Sequence, residues 1–305
     1  MIYSNLTIAV TGARGMLGTA ILDYFSNYGR VYATSRQQGL CKKNIIWNTF
    51  DLLDSTQLSA WLNQYKPDVV IHCAAMVNLD QCEKEPENAF ALHVQATQCI
   101  ASIIRQWQGR LITISTDAVF DGKKTDFYTE KDRPCPINVY GNTKRQGEIE
   151  TLNHSENNLV IRTTLIGHQK IQQRTSLSNW IVEGLMQQKK LTLFSDVYFT
   201  PIHTTHFTEI LFQVINAKHL MTGIYHVSGS SMLSKYEFGL KLAATLNILN
   251  SKIQQSKLET VSLLANRPKN MTLSSQKLSC TLPIKLPNIQ AGIDELKRQL
   301  HNDSF

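Results

Sequence analysis

Apolar and polar positions follow two alternating patterns along the first half of the chain. Short runs of consecutive apolar residues predict buried strands over residues 6–10, 30–35, 45–50, 68–73 and 111–115. Between these runs, apolar residues at helical spacing predict helices over residues 19–28, 56–64, 87–106 and 142–152. Strands that alternate with helices indicate βαβ units. We therefore expect an α/β fold built on a parallel sheet that is covered on both faces.

The pattern becomes less regular beyond about residue 165. Ser234 precedes Glu237 by three positions, a capping-box spacing that predicts the start of a helix over residues 234–246. Further helices are expected over 178–188, 206–217 and 293–300, and a strand over 223–227. No repeat and no low-complexity linker separates the halves, so we expect a first domain of residues 1–165 and a smaller region of residues 166–305 packed on it.

Composition is typical of a globular protein with a sizeable core. The 305 residues are 42% hydrophobic and 18% charged, which excludes a disordered chain. No apolar run reaches the length of about 18 residues needed to span a membrane, and the N-terminus lacks the basic region of a signal peptide. The six cysteines form no C-x-x-C pair. We expect reduced thiols, a cytoplasmic location and no membrane partner.

The formal net charge of +7 raises the question of nucleic-acid binding. The basic residues are scattered and form no block of five or more, so no nucleic-acid partner is predicted. A mild positive bias late in the chain comes from Arg267, Lys269, Lys277 and Lys285. Two explanations stay open, an ordinary solvated surface and a field that attracts a phosphorylated small molecule.

The most specific motif is T-G-A-R-G-M-L-G at residues 11–18, between the first predicted strand and the first predicted helix. Glycines in this context permit a tight turn and a close approach of the backbone to a pyrophosphate. The helix N-terminus adds free N–H groups and a partial positive charge. We predict that a dinucleotide cofactor binds at Gly12, Arg14, Gly15, Met16, Leu17 and Gly18.

The residues that follow the loop indicate which dinucleotide binds. Sites for NAD usually place an acidic residue about 20 positions on, where it accepts the ribose 2′-hydroxyl. No Asp or Glu lies between Tyr24 and Phe50, and Arg36 takes the expected position. With Arg14 in the loop, two guanidiniums would converge on a 2′-phosphate. We expect NADP(H) to be preferred, with NAD(H) possible.

Two further segments are expected to contact the cofactor. Asp51 and Leu52 follow the third strand and are expected at the adenine, although Asp51 could instead be a helix N-cap. Ala74 and Ala75 end the fourth strand, where small side chains let a cofactor lie against the backbone.

Candidate catalytic residues come after the fifth strand. Tyr140 and Lys144 are four positions apart on a predicted helix, so they share a face. An ammonium about 4 Å from the phenol would lower its pKa by roughly three units, toward the range suited to a general acid or base. Thr116, at the carboxyl end of the strand, is placed to hydrogen-bond a substrate oxygen.

The sequence resembles the extended short-chain dehydrogenases/reductases and, among them, the dTDP-4-dehydrorhamnose reductase (sugar-nucleotide-binding) family. The resemblance runs from Leu6 to about Leu296. It rests on T-G-A-R-G-M-L-G (11–18), D-L (51–52), P-D-V-V-I-H-C-A-A (67–75), S-T-D-A-V-F-D-G (115–122), P-I-N-V-Y-G-N-T-K-R-Q-G-E (136–148) and R-P-K-N-M-T-L-S-S-Q-K-L (267–278).

The resemblance implies a Rossmann-type, doubly wound sheet in an NAD(P)-binding domain, with residues 166–305 capping a nucleotide-sugar pocket. It places the family's catalytic triad on Thr116, Tyr140 and Lys144. Tyr140 would protonate a keto oxygen as hydride reaches the carbon, and Lys144 would hold the cofactor ribose. Both Tyr140 and Lys144 are expected to contact the cofactor. Substrate contacts are expected from Thr116, Asp117 and Arg267, and a homodimer is possible.

The sequence departs from the family pattern at two sugar-side positions. Where rhamnose-forming reductases carry R-T-S-W, residues 162–165 read R-T-T-L, without the aromatic side chain. Where those enzymes carry D-Q-x-G-x-P-T, residues 196–202 read D-V-Y-F-T-P-I. The triad is kept while the sugar-side residues differ.

The sequence therefore predicts an NADP(H)-dependent reductase of a keto group on a nucleoside-diphosphate sugar, serving polysaccharide biosynthesis. One alternative is a non-catalytic, cofactor-binding regulatory subunit that resembles the β subunit of methionine adenosyltransferase. Another is a nucleotide-sugar epimerase or dehydratase. The pair His203 and His206 lacks a third ligand nearby, so no metal site is predicted.

Overall fold

The computed structural model describes residues 6–168, 176–248 and 252–302. Within these residues, seven parallel strands form the central sheet in the order β11-β6-β5-β4-β1-β2-β3. The strands are β1 (Ile8–Thr11), β2 (Val31–Ser35), β3 (Ile45–Thr49), β4 (Val69–His72), β5 (Arg110–Thr116), β6 (Leu159–Thr163) and β11 (Gly223–His226). This arrangement confirms the predicted Rossmann-type parallel sheet.

Helices cover both faces of the sheet because alternate strand residues point to opposite sides. Ile8 and Val10 pack into one apolar cluster with helices α1 (Met16–Phe25) and α8 (Thr204–Ile215). Ala9 belongs to the cluster on the other face. The helices on that face are α2 (Ser55–Tyr65), α5 (Ala96–Ile104) and α6 (Val139–His154), of which α6 packs along α5 and β5.

Further elements complete the described chain. The remaining helices are α3 (Leu79–Lys84), α4 (Pro86–Phe90), α7 (Leu177–Met186), α9 (Lys235–Thr245), α10 (Gln276–Thr281) and α11 (Ile289–Asn302). The remaining strands are β7 (Leu165–Ile166), β8 (Leu191–Phe194), β9 (Tyr198–Phe199), β10 (Ile202–His203), β12 (Leu233–Ser234), β13 (Ile253–Ser256) and β14 (Asn270–Met271). Helices α7, α9 and α11 share a second apolar cluster with β8, β9 and β12.

The second half of the chain also contributes to the central sheet. Strand β11 pairs with β6 at the sheet edge, and α8 packs against α1. The predicted division at residue 165 therefore does not separate the elements of the sheet, and the domain boundary stays a prediction. No helix in the described part of the chain is long and apolar enough to cross a membrane.

Several element boundaries differ from the sequence prediction. Helix α1 begins at Met16, not residue 19, because the glycine loop leads into it directly. The helix expected over 87–106 is divided into α4, a π-helical turn (Ala91–Gln95), α5 and a 3₁₀ turn (Arg105–Trp107). The capping box of Ser234 and Glu237 is present at the start of α9, as predicted.

Candidate functional site

The glycine loop joins β1 to α1 at the carboxyl edge of the sheet. Gly12 has φ of +64°, and a Cβ there would lie 2.6 Å from the backbone nitrogen of Ala74. A Cβ at Gly18 would lie 2.4 Å from the carbonyl oxygen of Gly12. Both positions therefore require glycine, and α1 packs tightly under the loop.

The N-terminus of α1 fits a pyrophosphate. Its N-cap is Gly15, and no side chain caps the first turn. Backbone N–H groups of that turn, beginning at Met16 and Leu17, therefore lack a side-chain acceptor, as an anion site requires. With the glycine cradle, this arrangement has the shape and donors that a dinucleotide needs.

The expected pair of arginines lies at the adjacent corner of the sheet. The Arg14 guanidinium donates a hydrogen bond to the side-chain oxygen of Gln37, in the segment that follows β2. Arg36, one residue earlier, is exposed. The structure thus brings both arginines to the end of β2, with Arg14 held by Gln37.

The residues that follow β3 and β4 are placed at the same edge. The carboxylate of Asp51 accepts from the backbone of Leu53 at 3.1 Å, while the N-cap of α2 is Asp54. The alternative role of Asp51 as a helix N-cap is therefore wrong. Leu52 is buried beneath this turn. Ala74 is buried and Ala75 half-buried where β4 ends.

Tyr140 and Thr116 are brought together by the packing of α6 against the end of β5. Gly141 makes this possible, because a Cβ there would lie 2.2 Å from the carbonyl oxygen of Ala118. Asn138 caps α6 by accepting from the backbone of Gly141 at 2.7 Å. A hydrogen bond with the Thr116 side chain favours the phenolate of Tyr140.

The pKa of Tyr140 is raised above its ordinary value, chiefly because burial disfavours the phenolate. The nearby charge of Asp117 acts in the same direction. The expected lowering by Lys144 is not found, since the Lys144 ammonium donates to the carbonyl oxygen of Ile114 at 2.7 Å. The phenol is therefore protonated at neutral pH, as a general acid must be.

The pKa of Lys144 is affected by a buried carboxylate one helical turn later. Burial lowers the pKa of Lys144 to about 8, and the charge of Glu148 opposes that shift. Glu148 is fully buried and accepts from the Arg162 guanidinium at 2.8 and 2.7 Å. It also accepts from the Ser115 hydroxyl at 2.5 Å. Sequence reasoning missed this residue, although its i+4 spacing from Lys144 was a visible signal.

His93 is a second missed residue. It lies in the π-helical turn, an irregularity that is frequent at functional sites. Its ring accepts from the backbone of Met76 at 2.9 Å and shares a hydrogen bond with the Thr143 hydroxyl at 2.8 Å. Burial lowers the pKa of His93 to about 2, so the ring is neutral. It stands edge-on to Tyr140, with centroids 5.8 Å apart, and thereby limits the positions of the phenol.

Asp117 follows Thr116 at the carboxyl end of β5 and is buried. Its carboxylate accepts from the Thr116 hydroxyl at 3.0 Å and from the Thr164 hydroxyl. Burial raises the pKa of Asp117, against the hydrogen bond from Thr164 and the charge of Lys235. Leu165, in the position of the family's tryptophan, packs against the main apolar cluster.

Arg267 is paired with an acidic residue of α3. Its guanidinium forms an ion pair with Asp80 at 3.0 Å, and the same carboxylate oxygen accepts from the backbone of Ala265 at 3.0 Å. The carbonyl oxygen of Asn266 accepts from the Asn138 side chain at 2.8 Å. Arg267 therefore borders the start of α6, and its contact with substrate stays a prediction.

The two histidines set aside as metal ligands lie apart from these residues. The rings of His203 and His206 are 6.0 Å apart, and His203 accepts from the backbone of Thr205 at 3.2 Å. Across the described ranges, no group of three or more His, Cys, Asp or Glu residues could hold a metal ion.

Comparison with known proteins identifies the family. The model of the RmlD substrate binding domain matches residues 6–302. The probable low-salt glycan biosynthesis reductase Agl14 of Haloferax volcanii is 26% identical over 290 residues, covering 94% of this chain and 96% of that protein. Methionine adenosyltransferase 2 subunit beta of Xenopus laevis is 30% identical, covering 88% of this chain and 80% of that protein.

A solved structure supports the same fold. The dTDP-4-dehydrorhamnose reductase of Bacillus anthracis, in complex with NADP, superimposes with a TM-score of 0.83 at 22% identity. The alignment covers 96% of this chain and 99% of that one. This chain therefore belongs to the RmlD substrate binding domain family, within the extended short-chain dehydrogenases/reductases.

Proposed function

We propose that this protein is an NADP(H)-dependent reductase of a keto group on a nucleoside-diphosphate sugar, with Tyr140 as the general acid. The observation that carries the proposal is the packing of α6 against β5, which brings Tyr140 to the Thr116 side chain and Lys144 to the carbonyl oxygen of Ile114. These groups come from β5 and α6, and they meet at the carboxyl edge where open α/β sheets bind ligands. A reductase needs a proton donor and a cofactor site at one edge, and this arrangement supports the assignment of both.

When bound, the reduced nicotinamide would supply the hydride that forms the new C–H bond at the keto carbon. Tyr140 donates its phenolic proton to the keto oxygen, so the product is an alcohol and the tyrosine becomes a phenolate. Burial keeps the Tyr140 phenol protonated, so the proton is available to the keto oxygen as negative charge develops there. Thr116 hydrogen-bonds the same oxygen as negative charge develops. Lys144, as an ammonium, would hold the ribose of the cofactor.

The preference for NADP(H) is supported by the corner at the end of β2. Arg14 and Arg36 are both present there, and no acidic residue lies between Tyr24 and Phe50. A carboxylate in this position would repel a 2′-phosphate, whereas guanidiniums bind it. The Bacillus anthracis reductase, which shares the fold, is in complex with NADP. NAD(H) remains the alternative cofactor.

The direct test combines NADPH with a panel of nucleotide-linked 4-keto-6-deoxy sugars and follows NADPH oxidation. We expect turnover with at least one sugar, and we expect Tyr140→Phe to reduce kcat by about 10²- to 10⁴-fold. NADPH affinity of the variant should stay within about twofold of the parent, because the phenol is not part of the glycine cradle. Full turnover by Tyr140→Phe would refute the assignment of the acid.

The second candidate function is a cofactor-binding regulatory subunit. It is favoured by the 30% identity to the methionine adenosyltransferase subunit and by the altered sugar-side residues. A protein of this kind would bind NADPH without oxidising it in the presence of any sugar of the panel. Equilibrium binding of NADPH, measured beside the turnover assay, therefore separates the two functions.

A further inference from the structure

The sugar side of the candidate site contains a lysine that the proposed reaction does not use. Lys235 is the first residue of α9, directly after the capping-box residue Ser234. Its backbone nitrogen donates to the carbonyl oxygen of Val197 at 3.0 Å. Its ammonium lies 3.2 Å from the centroid of the Phe199 ring, which is fully buried. The capping box and this ring together define where the side chain lies.

The charges of Lys235 and Asp117 interact across the site. Each charge favours the ionised form of the other, although burial disfavours both and lowers the pKa of Lys235 to about 7. Asp117 in turn contacts Thr116 through a hydrogen bond and acts on the pKa of Tyr140. Lys235 therefore belongs to the same cluster of charges as the candidate acid.

The donors of this ammonium are not used within the protein. Lys235 forms no side-chain hydrogen bond and no ion pair closer than 4.0 Å with any described residue. An aromatic face offsets only part of the free energy lost when an ammonium leaves water. The side chain is only partly buried, so a ligand in the site can reach it. The missing interaction is an oxygen acceptor.

The charge balance indicates which kind of oxygen would be bound. Lys235 and Asp117 together carry no net charge, so the pair does not favour a phosphate or a carboxylate. A hydroxyl or ring oxygen of a sugar accepts from an ammonium, and a neighbouring hydroxyl can donate to a carboxylate. Sugars present such groups on adjacent carbons, at a spacing that suits a lysine beside an aspartate.

We propose that Lys235 is a substrate-binding residue that donates a hydrogen bond to an oxygen of the hexose, next to Asp117. This inference rests on the proposed function, because the hexose is the part of the substrate that lies at Tyr140. With Leu165 in the position of the family's aromatic residue, Lys235 supplies a hydrogen-bond donor on the sugar side, and the buried Phe199 ring supports its ammonium. Lys235 is thereby a determinant of which sugar is accepted.

The test separates binding of the sugar from binding of the nucleotide. Calorimetric titration of the NADP-loaded protein would compare dTDP with dTDP-rhamnose, and UDP with UDP-glucose. We expect one nucleotide sugar to bind more tightly than its nucleotide alone, and we call this increase in affinity the sugar gain. We expect Lys235→Met to reduce the sugar gain by about tenfold or more. Lys235→Arg should retain part of the gain. Lys241→Met, an exposed lysine on the same helix, is the matched control and should retain all of it.

Affinity for the free nucleotide should be the same in all variants, which also reports that they are folded. A full sugar gain in Lys235→Met would overturn the inference, and so would a parent protein that binds no sugar more tightly than its nucleotide. A Lys235-dependent sugar gain without NADPH oxidation would uphold the inference and refute the reductase. Turnover with no dependence of sugar affinity on Lys235 would uphold the reductase and refute the inference.

Discussion

The two sides of the candidate site that we propose bind the cofactor and the sugar, here called the cofactor side and the sugar side, are built in different ways. The cofactor side depends on eight consecutive residues, 11–18, and works through backbone N–H groups and the absence of Cβ atoms. The sugar side brings together side chains that lie far apart in the chain, on Asp117, Thr164, Phe199 and Lys235. A local backbone geometry can serve many dinucleotide enzymes, whereas a set of distant side chains can change one residue at a time. This contrast agrees with a retained triad beside altered sugar-side motifs.

The largest effect expected here is on cofactor binding alone. Gly12→Ala places a Cβ 2.6 Å from the backbone of Ala74 and forces φ of +64° on an alanine. We expect the Kd for NADPH to rise about 100-fold, because the loop must move away from the pyrophosphate. Fluorescence titration of NADPH would measure this change.

The matched control is Gly223→Ala. Gly223 has φ of +80°, but a Cβ there would meet nothing within 4 Å. The Gly223→Ala variant should lose about 1–2 kcal/mol of unfolding free energy, because alanine disfavours the left-handed backbone. It should keep the parent's NADPH affinity. Equal NADPH affinities in the two variants would contradict the assigned role of the loop.

A second prediction concerns the pH dependence of kcat, which we expect to follow the protonation of Lys144. The ammonium of Lys144 is present below its pKa of about 8 and is lost above it. We therefore expect kcat to fall as pH rises through about 8, by up to about tenfold per unit. Glu148→Gln removes the charge that raises this pKa, so the fall should begin at lower pH.

Glu150→Gln, on the same helix but only partly buried, is the control for the pH profile. Its profile should match that of the parent protein. Thermal unfolding of Glu148→Gln would verify that the variant is folded, since the substitution also leaves Arg162 without its ion pair. A profile that is unchanged in Glu148→Gln would show that Lys144 does not set the alkaline limb.

The smallest expected effect is on sugar affinity and on the stability of α9. Ser234→Ala removes the N-cap hydroxyl of α9, which accepts from the backbone of Glu237 at 3.1 Å. We expect the unfolding free energy to fall by about 1 kcal/mol and the sugar gain in affinity to weaken, because Lys235 is the next residue. Asp54→Ala removes the N-cap of α2 at a similar cost and should leave the sugar gain intact. Identical sugar binding in the two variants would argue against a role for the cap in positioning Lys235.

Much of the central sheet could be predicted because its strands are short, apolar and separated by amphipathic helices. Strands β1 to β5 lie where the pattern placed them, within one or two residues. Strand β6 was not predicted, although Leu159–Thr163 is entirely buried. Its Arg162 carries a charge that only the ion pair with Glu148 makes compatible with the core. The π-helical turn around His93 likewise has no signature in apolar spacing.

The sequence by itself determined the glycine loop, the spacing of Tyr140 and Lys144, and the alternation that produces a parallel sheet. These features are local, because each depends on residues within one turn or one helix. Only the tertiary structure decided that Lys144 faces Ile114 and not the phenol, and that the half-buried Tyr140 has a raised pKa. It alone brought the charge of Lys235 within electrostatic reach of Asp117, 118 positions away in the chain. Burial and the charges of distant residues set these properties, and neither is encoded in the spacing of one segment.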